Sequence, residues 1–149
     1  MPNLKKVLCA LDLSDQSQQV AEYATMLAKM SGASIVAVYA VPTLTQYIGF
    51  HVPPNTIDNF VGEIVSGAER SMTDFVSENF QGVEARGVVV VGYAAEEILA
   101  LAASEQVDLI VMGTRGRKGI DLILFGSVAE KVVKNATCPV LTIRPIDED

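Results

Sequence analysis

Apolar positions along this chain fall into two patterns that alternate from end to end. Short, nearly continuous runs at Val7–Leu11, Ile35–Ala40, Val88–Val91, Asp108–Met112 and Val140–Ile143 read as strands. A strand covered on both faces has no reason to alternate polar with apolar residues. Between the runs, apolar residues recur every three or four positions, which is the spacing of a helix with one buried stripe. Ser14–Met30 carries Val20, Ala21, Ala24, Leu27 and Ala28 on such a stripe and meets a natural stop at Gly32. A longer stripe begins at Ile57 and continues through Phe60, Val61, Ile64, Val65, Ala68, Met72, Phe75 and Val76. Ala94–Ser104, with Ile98, Leu99 and Ala102 inward, and Val128–Asn135 supply the last two helices. Strands that alternate with helices force parallel pairing through right-handed crossovers. The expected architecture is therefore a three-layer α/β/α sandwich, one domain over residues 1–149. Pro42–Asn55, with three prolines, is expected to be a long loop of the kind that often forms a lid.

Composition narrows the function more than the fold. The chain is 50% hydrophobic and 19% charged, which suits a packed core and argues against disorder. Its formal net charge of −7 disfavours non-specific binding to nucleic acid or to an anionic membrane. No apolar run approaches the roughly 18 residues of a membrane helix, and Met1–Lys6 does not lead into a secretory signal. Cys9 and Cys138 have no metal or redox spacing, and Cys9 in its apolar strand reads as a small buried hydrophobe. Together these features place the protein in a reducing, cytoplasmic compartment.

Against that acidic background, three of the eleven basic residues, Arg115, Arg117 and Lys118, fall in one loop. The loop starts with Met112-Gly113-Thr114-Arg115-Gly116 after the fourth strand and ends with Gly126-Ser127 before the last helix. Glycines allow positive φ and close approach to a ligand, and a helix N-terminus welcomes an anion. The same basic residues would also suit a solvated loop face. Asp12, ending the first strand, could accept hydrogen bonds from a ligand or hold a divalent cation with phosphate oxygens. It could equally cap the first helix with Ser14 or Asp15. Ser127-Val128-Ala129-Glu130 matches a capping box, with Ser127 at the N-cap and Glu130 reaching back. His51 is the only histidine, and no G-x-S-x-G elbow accompanies it. The chain also lacks a P-loop and has no G-x-G-x-x-G after its first strand.

Gly113-x2-Gly116-x9-Gly126-Ser127 resembles the G-2x-G-9x-G-[S/T] signature of the ATP-binding branch of the universal stress protein family. Lys5–Asp12 is similar to that family's first strand with its terminal Asp. Gly92–Ile98 looks like the opening of its third helix, and Cys138–Pro145 like its closing strand. The resemblance implies a Rossmann-like sheet of order 3-2-1-4-5. It also implies a nucleotide set of Asp12, Leu13, Ala40, Met112, Gly113, Arg115, Gly116, Gly126, Ser127 and Val128. In that set Asp12 and the backbone around Ala40 meet the adenosine part, and the glycines, Ser127 and the Val128 amide meet the phosphates. Mg²⁺ or Mn²⁺ would accompany ATP, with Asp12 as its protein ligand. Tyr39-Ala40 departs from the His-Val of many members.

The expected function is a nucleotide-dependent sensor or partner-binding module with, at most, slow ATP hydrolysis. No P-loop lysine, arginine finger or positioned base of fast phosphoryl transfer is present. The alternatives are a family member that works through protein contacts alone and a slow adenine-nucleotide hydrolase. A two-component receiver domain is excluded, because the third strand ends at Val91-Gly92 without an Asp and the fifth at Ile143-Arg144 without a Lys. Val140–Ile143 comes last and carries no charge before Arg144. An unblunted edge strand must be covered or paired, and the family pairs there, so a homodimer through this strand is expected.

Overall fold

Residues 3–42, 54–114, 126–144 and 146 are described in a computed structural model, with side chains of the second helix described from Phe60 onward. The element order is β1 (Lys6–Ala10), α1 (Ser17–Ser31), β2 (Ser34–Val41), α2 (Pro54–Asn79), β3 (Ala85–Val91), α3 (Ala94–Ser104), β4 (Leu109–Gly113), α4 (Ser127–Asn135) and β5 (Val140–Ile143). The five strands form one parallel sheet of order β3-β2-β1-β4-β5. This is the doubly wound, Rossmann-like arrangement expected.

Alternate residues of the central strands supply two cores. Val7, Cys9, Ile35 and Val111 meet Val20, Ala21, Ala24 and Ala28 of α1 and Met72 of α2 on one face. Leu8, Val36, Ile110 and Met112 meet Ile98 and Ala102 of α3 and Ala129 and Val132 of α4 on the other. The apolar runs of β1, β2 and β4 follow from this two-sided cover. Cys9 is fully buried, and burial pushes its thiol up to about 12. It therefore stays protonated and unreactive, as its strand position predicts.

Some boundaries move, each for a visible reason. α1 starts at Ser17, not Ser14, because Ser14–Gln16 form a turn closed by the Ser17 N–H on the Ser14 carbonyl (3.0 Å). Its end is as expected: Gly32 takes φ 76° and donates to the Ala28 carbonyl at 2.8 Å. Pro54 and Asn55, assigned to the long loop from sequence, already belong to α2. Proline at a first helical position loses nothing, since that N–H has no intrahelical acceptor. The rest of that loop from residue 43 to 53, His51 included, lies outside the described residues. A paired amide from Gln19 ties the C-terminal segment to α1: its Nε2 donates to the Ile146 carbonyl and its Oε1 accepts the Ile146 N–H.

No helix among the described residues is long and apolar enough to cross a membrane.

Candidate functional site

The sheet reverses its winding between β1 and β4, and the carboxyl ends of these neighbours open a crevice of the kind that holds ligands in parallel sheets. The cleft there encloses about 840 Å³, its open mouth included. Its apolar wall comes from Val38, Tyr39 and Ala40 of β2 with Ala94 and Ile98 of α3. Its polar side comes from Asp12, Gln16, Ser17, Thr114 and Ser127. The N-terminal residues of three helices line it: Ser17 of α1, Ala94 of α3 and Ser127 with Val128 of α4. Helix starts carry unpaired N–H groups and a partial positive charge. The cleft is thus suited to an anion although the chain is acidic.

Asp12 is held rigidly. Its Oδ1 accepts the Ser14 N–H (3.0 Å), the Ser14 hydroxyl (2.6 Å) and the Ser17 hydroxyl (2.9 Å). Leu13 stands between them at φ 58°, a left-handed conformation that costs a non-glycine residue about 1–2 kcal/mol. The three hydrogen bonds to Asp12 stabilise that turn, and backbone outliers of this sort collect at ligand sites. Helix capping is not the role of Asp12, because the N-cap of α1 is Gln16. Among the described residues Asp12 is the only carboxylate on the cleft. No cluster of three or more metal-ligating side chains occurs among them either.

At the α4 end the capping box expected from sequence does not form. Gly126, at φ −64° and ψ 158°, is the N-cap, and its carbonyl accepts the Glu130 N–H at 3.0 Å. Ser127 is the first helical residue, and no side chain caps the helix. The shift comes from packing: the Gly126 N–H donates to the Thr114 carbonyl at 2.6 Å, which fixes where the helix begins. Ser127 and Val128 of this uncapped first turn line the cleft. Positive φ is likewise not what requires glycine at 126, so close approach is the remaining reason.

Of the residues expected from sequence, Asp12, Ala40, Met112, Gly113, Gly126, Ser127 and Val128 come together on this one cleft. Leu13 sits in the adjoining turn. Arg115 and Gly116, with Arg117 and Lys118, lie outside the described residues. Ala40 is placed by the ladder. Leu11 N–H donates to Val38 O at 2.9 Å on the β1 side of β2, and bonding direction alternates along a strand. The N–H and C=O of Ala40 therefore point to the same side, past the last paired rung at Ala10–Val38. These are backbone groups, so the Tyr39-Ala40 departure from His-Val does not alter them.

Sequence reasoning missed Gln16, Ser17, Thr114, Ala94 and Ile98. Ser17 and Thr114 are the two buried polar residues among those described, and both line the cleft. Thr114 stood within the glycine motif as one of its unspecified positions, so the signal was in view but carried no chemical label. Nearby, Lys131 of α4 pairs with Glu96 in the first turn of α3 and ties the two helices that flank the cleft. The Lys131 hydrogen bond is the main reason the Glu96 carboxyl is held below its ordinary range.

A profile described as the universal stress protein family matches residues 3–144. A universal stress protein of Methanocaldococcus jannaschii is 34% identical over 142 residues, covering 94% of this chain and 82% of its own. Among solved structures, a universal stress protein from Lactobacillus plantarum superposes with a TM-score of 0.80 at 24% identity, covering 95% of this chain and 99% of its own. A universal stress protein solved in complex with cAMP superposes at 0.68 with 21% identity, covering 95% of this chain and 98% of its own. At those identities the two solved structures speak for the fold.

Proposed function

We propose that this chain, which belongs to the universal stress protein family, is a single-domain member of its ATP-binding branch, acting as a nucleotide-dependent sensor or partner-binding module. What carries this reading is the meeting of Asp12, Gly113, Gly126 and the uncapped N-terminus of α4 on one cleft at the switch point of the sheet. The apolar wall of Val38, Tyr39 and Ile98 suits an adenine ring. The free backbone of Ala40 suits its polar edge. Asp12, with Oδ1 occupied by three donors, keeps Oδ2 for a ribose hydroxyl or for a Mg²⁺ or Mn²⁺ shared with phosphate oxygens. The Gly126–Val128 turn offers its N–H groups to the phosphates, with Met112, Gly113, Leu13, Arg115 and Gly116 completing the set. A buried hydroxyl without a partner at the cleft, on Thr114, also fits a polar ligand.

This reading takes catalysis no further than slow hydrolysis: among the described residues Asp12 is the only carboxylate of the cleft, and its Oδ1 is taken by three donors. The protein works in the cytoplasm and as a homodimer paired through β5.

ATP with Mg²⁺ is expected to stabilise the protein by roughly 2.7 kcal/mol at about 100 times Kd. For a chain of this length that is a rise in melting temperature on the order of 5–10 °C. Thermal unfolding with and without millimolar ATP tests it, and an unchanged midpoint would sink the nucleotide reading. Denaturing mass spectrometry of the purified protein should also release an adenine nucleotide.

Asp12→Ala removes one acceptor and loosens the turn at Leu13 while leaving the phosphate donors in place. Titration calorimetry should show ATP binding weakened about tenfold, as for one lost hydrogen bond to a charged group. Unchanged affinity with a loss of stability would assign Asp12 to the turn alone.

A further inference from the structure

Both backbone groups of Thr114 are paired: its N–H donates to the Ile143 carbonyl at 2.8 Å and its carbonyl accepts the Gly126 N–H at 2.6 Å. Its hydroxyl is not. Thr114 is 6% exposed, and its Oγ1 is the one buried side-chain polar atom without a hydrogen-bond partner among the described residues. The contrast with Ser17 is informative. That residue is 2% exposed, lines the same cleft and spends its hydroxyl on Asp12. A buried hydroxyl left unpaired is destabilising, so a native chain that keeps one has a use for it.

Thr114 forms part of the cleft's lining next to Gly113 and, through its carbonyl, against Gly126 at the head of α4. The cleft that Thr114 lines is where a partner for this hydroxyl can enter. We infer that the Thr114 hydroxyl is a ligand donor, completing the phosphate site beside the first turn of α4. This rests on the nucleotide reading and adds to it a residue that neither the glycine pattern nor helix capping selects. With the Thr114 backbone held by two hydrogen bonds, its hydroxyl has only its side-chain torsion to settle on meeting a phosphate oxygen. It gives phosphate-bearing ligands an advantage over the bare nucleoside.

Thr114→Val and Thr114→Ser separate this role from a structural one. Valine keeps the shape and removes the hydroxyl; serine keeps the hydroxyl. Without ligand, Thr114→Val should melt at or above the parent, by about 2–4 °C if the unpaired group is as costly as usual. Calorimetry should show its affinity for Mg²⁺-ATP reduced at least about tenfold, with adenosine binding unchanged. Thr114→Ser should restore most of the ATP affinity. If the parent binds ATP and Thr114→Val binds it equally well, this inference fails and the nucleotide reading stands. An equal loss for ATP and adenosine would make Thr114 a shaping residue, and a lower melting point with parental affinity would give its hydroxyl a protein partner. Either would overturn the role in phosphate binding. A parent that binds neither ligand removes both readings together.

Discussion

Gly126→Val gives a folded protein whose melting temperature no longer responds to ATP. The position is the N-cap of α4, with its N–H on the Thr114 carbonyl and its carbonyl on the Glu130 N–H. At φ −64° and ψ 158° its backbone accommodates any residue, so the fold survives. Valine is a poor N-cap and lowers stability by about 1 kcal/mol, which is a melting-temperature loss of roughly 2–4 °C. The larger effect is on the ligand. Gly126 lines the cleft at the start of an uncapped helix, and a branched side chain there occupies the volume into which a phosphate must come to reach the N–H groups of Ser127 and Val128. The whole ATP-induced rise should disappear. Differential scanning calorimetry of parent and variant, each with and without Mg²⁺-ATP, reads both effects at once. A variant that keeps the parental shift places the phosphates elsewhere.

Thr142→Pro converts the proposed dimer largely to monomer while leaving the sheet whole. The bonding pattern explains why one substitution can do this. Ile110 N–H donates to Pro139 O and Thr114 N–H to Ile143 O, and register pairs Val111 with Leu141 and Gly113 with Ile143. Odd-numbered residues of β5 therefore face β4, and the N–H and C=O of Val140 and Thr142 face the open edge. Proline at 142 removes an outward donor and obstructs a partner strand, yet breaks no β4–β5 bond. Leu141 is 36% exposed and Val133 of α4 47%, apolar surface that a second copy would cover. A two-fold axis lets the same strand serve both partners. Light scattering at micromolar concentration should give the dimer mass for the parent and mostly monomer for the variant. A parent of monomer mass would end the dimer claim and leave the nucleotide site untouched.

The uneven legibility of the site has a physical pattern. Gly113, Gly126 and Asp12 could be picked out because a glycine or a strand-ending acid is unusual in its own neighbourhood. Ser127 was visible too, but one of its two readings fails: Ser-x-x-Glu fits a capping box locally, while the distant Thr114 carbonyl takes the Gly126 N–H and the helix starts one residue earlier. Thr114 itself had no local mark. Its importance lies in burial and in the lack of a partner, and both depend on β5 and α4 arriving beside it.

Sequence by itself determined the alternation of strands and helices, the two-sided cover of the central strands, the stop at Gly32 and the inert burial of Cys9. These follow from period, side-chain chemistry and φ preference, which act over a few residues. The strand order, by contrast, was available only through resemblance, since nothing in β1 or β4 alone says that they pair. Tertiary structure decided that Asp12 is locked by Ser14 and Ser17 rather than capping α1, that Ala40 presents its backbone past the end of β1, and that Val140 and Thr142 present theirs to the open edge. It also left one hydroxyl of the cleft without a partner. Each of these is a hydrogen-bonding outcome set by residues brought together across the fold, and backbone polar groups look alike in a sequence until packing decides which of them are paired.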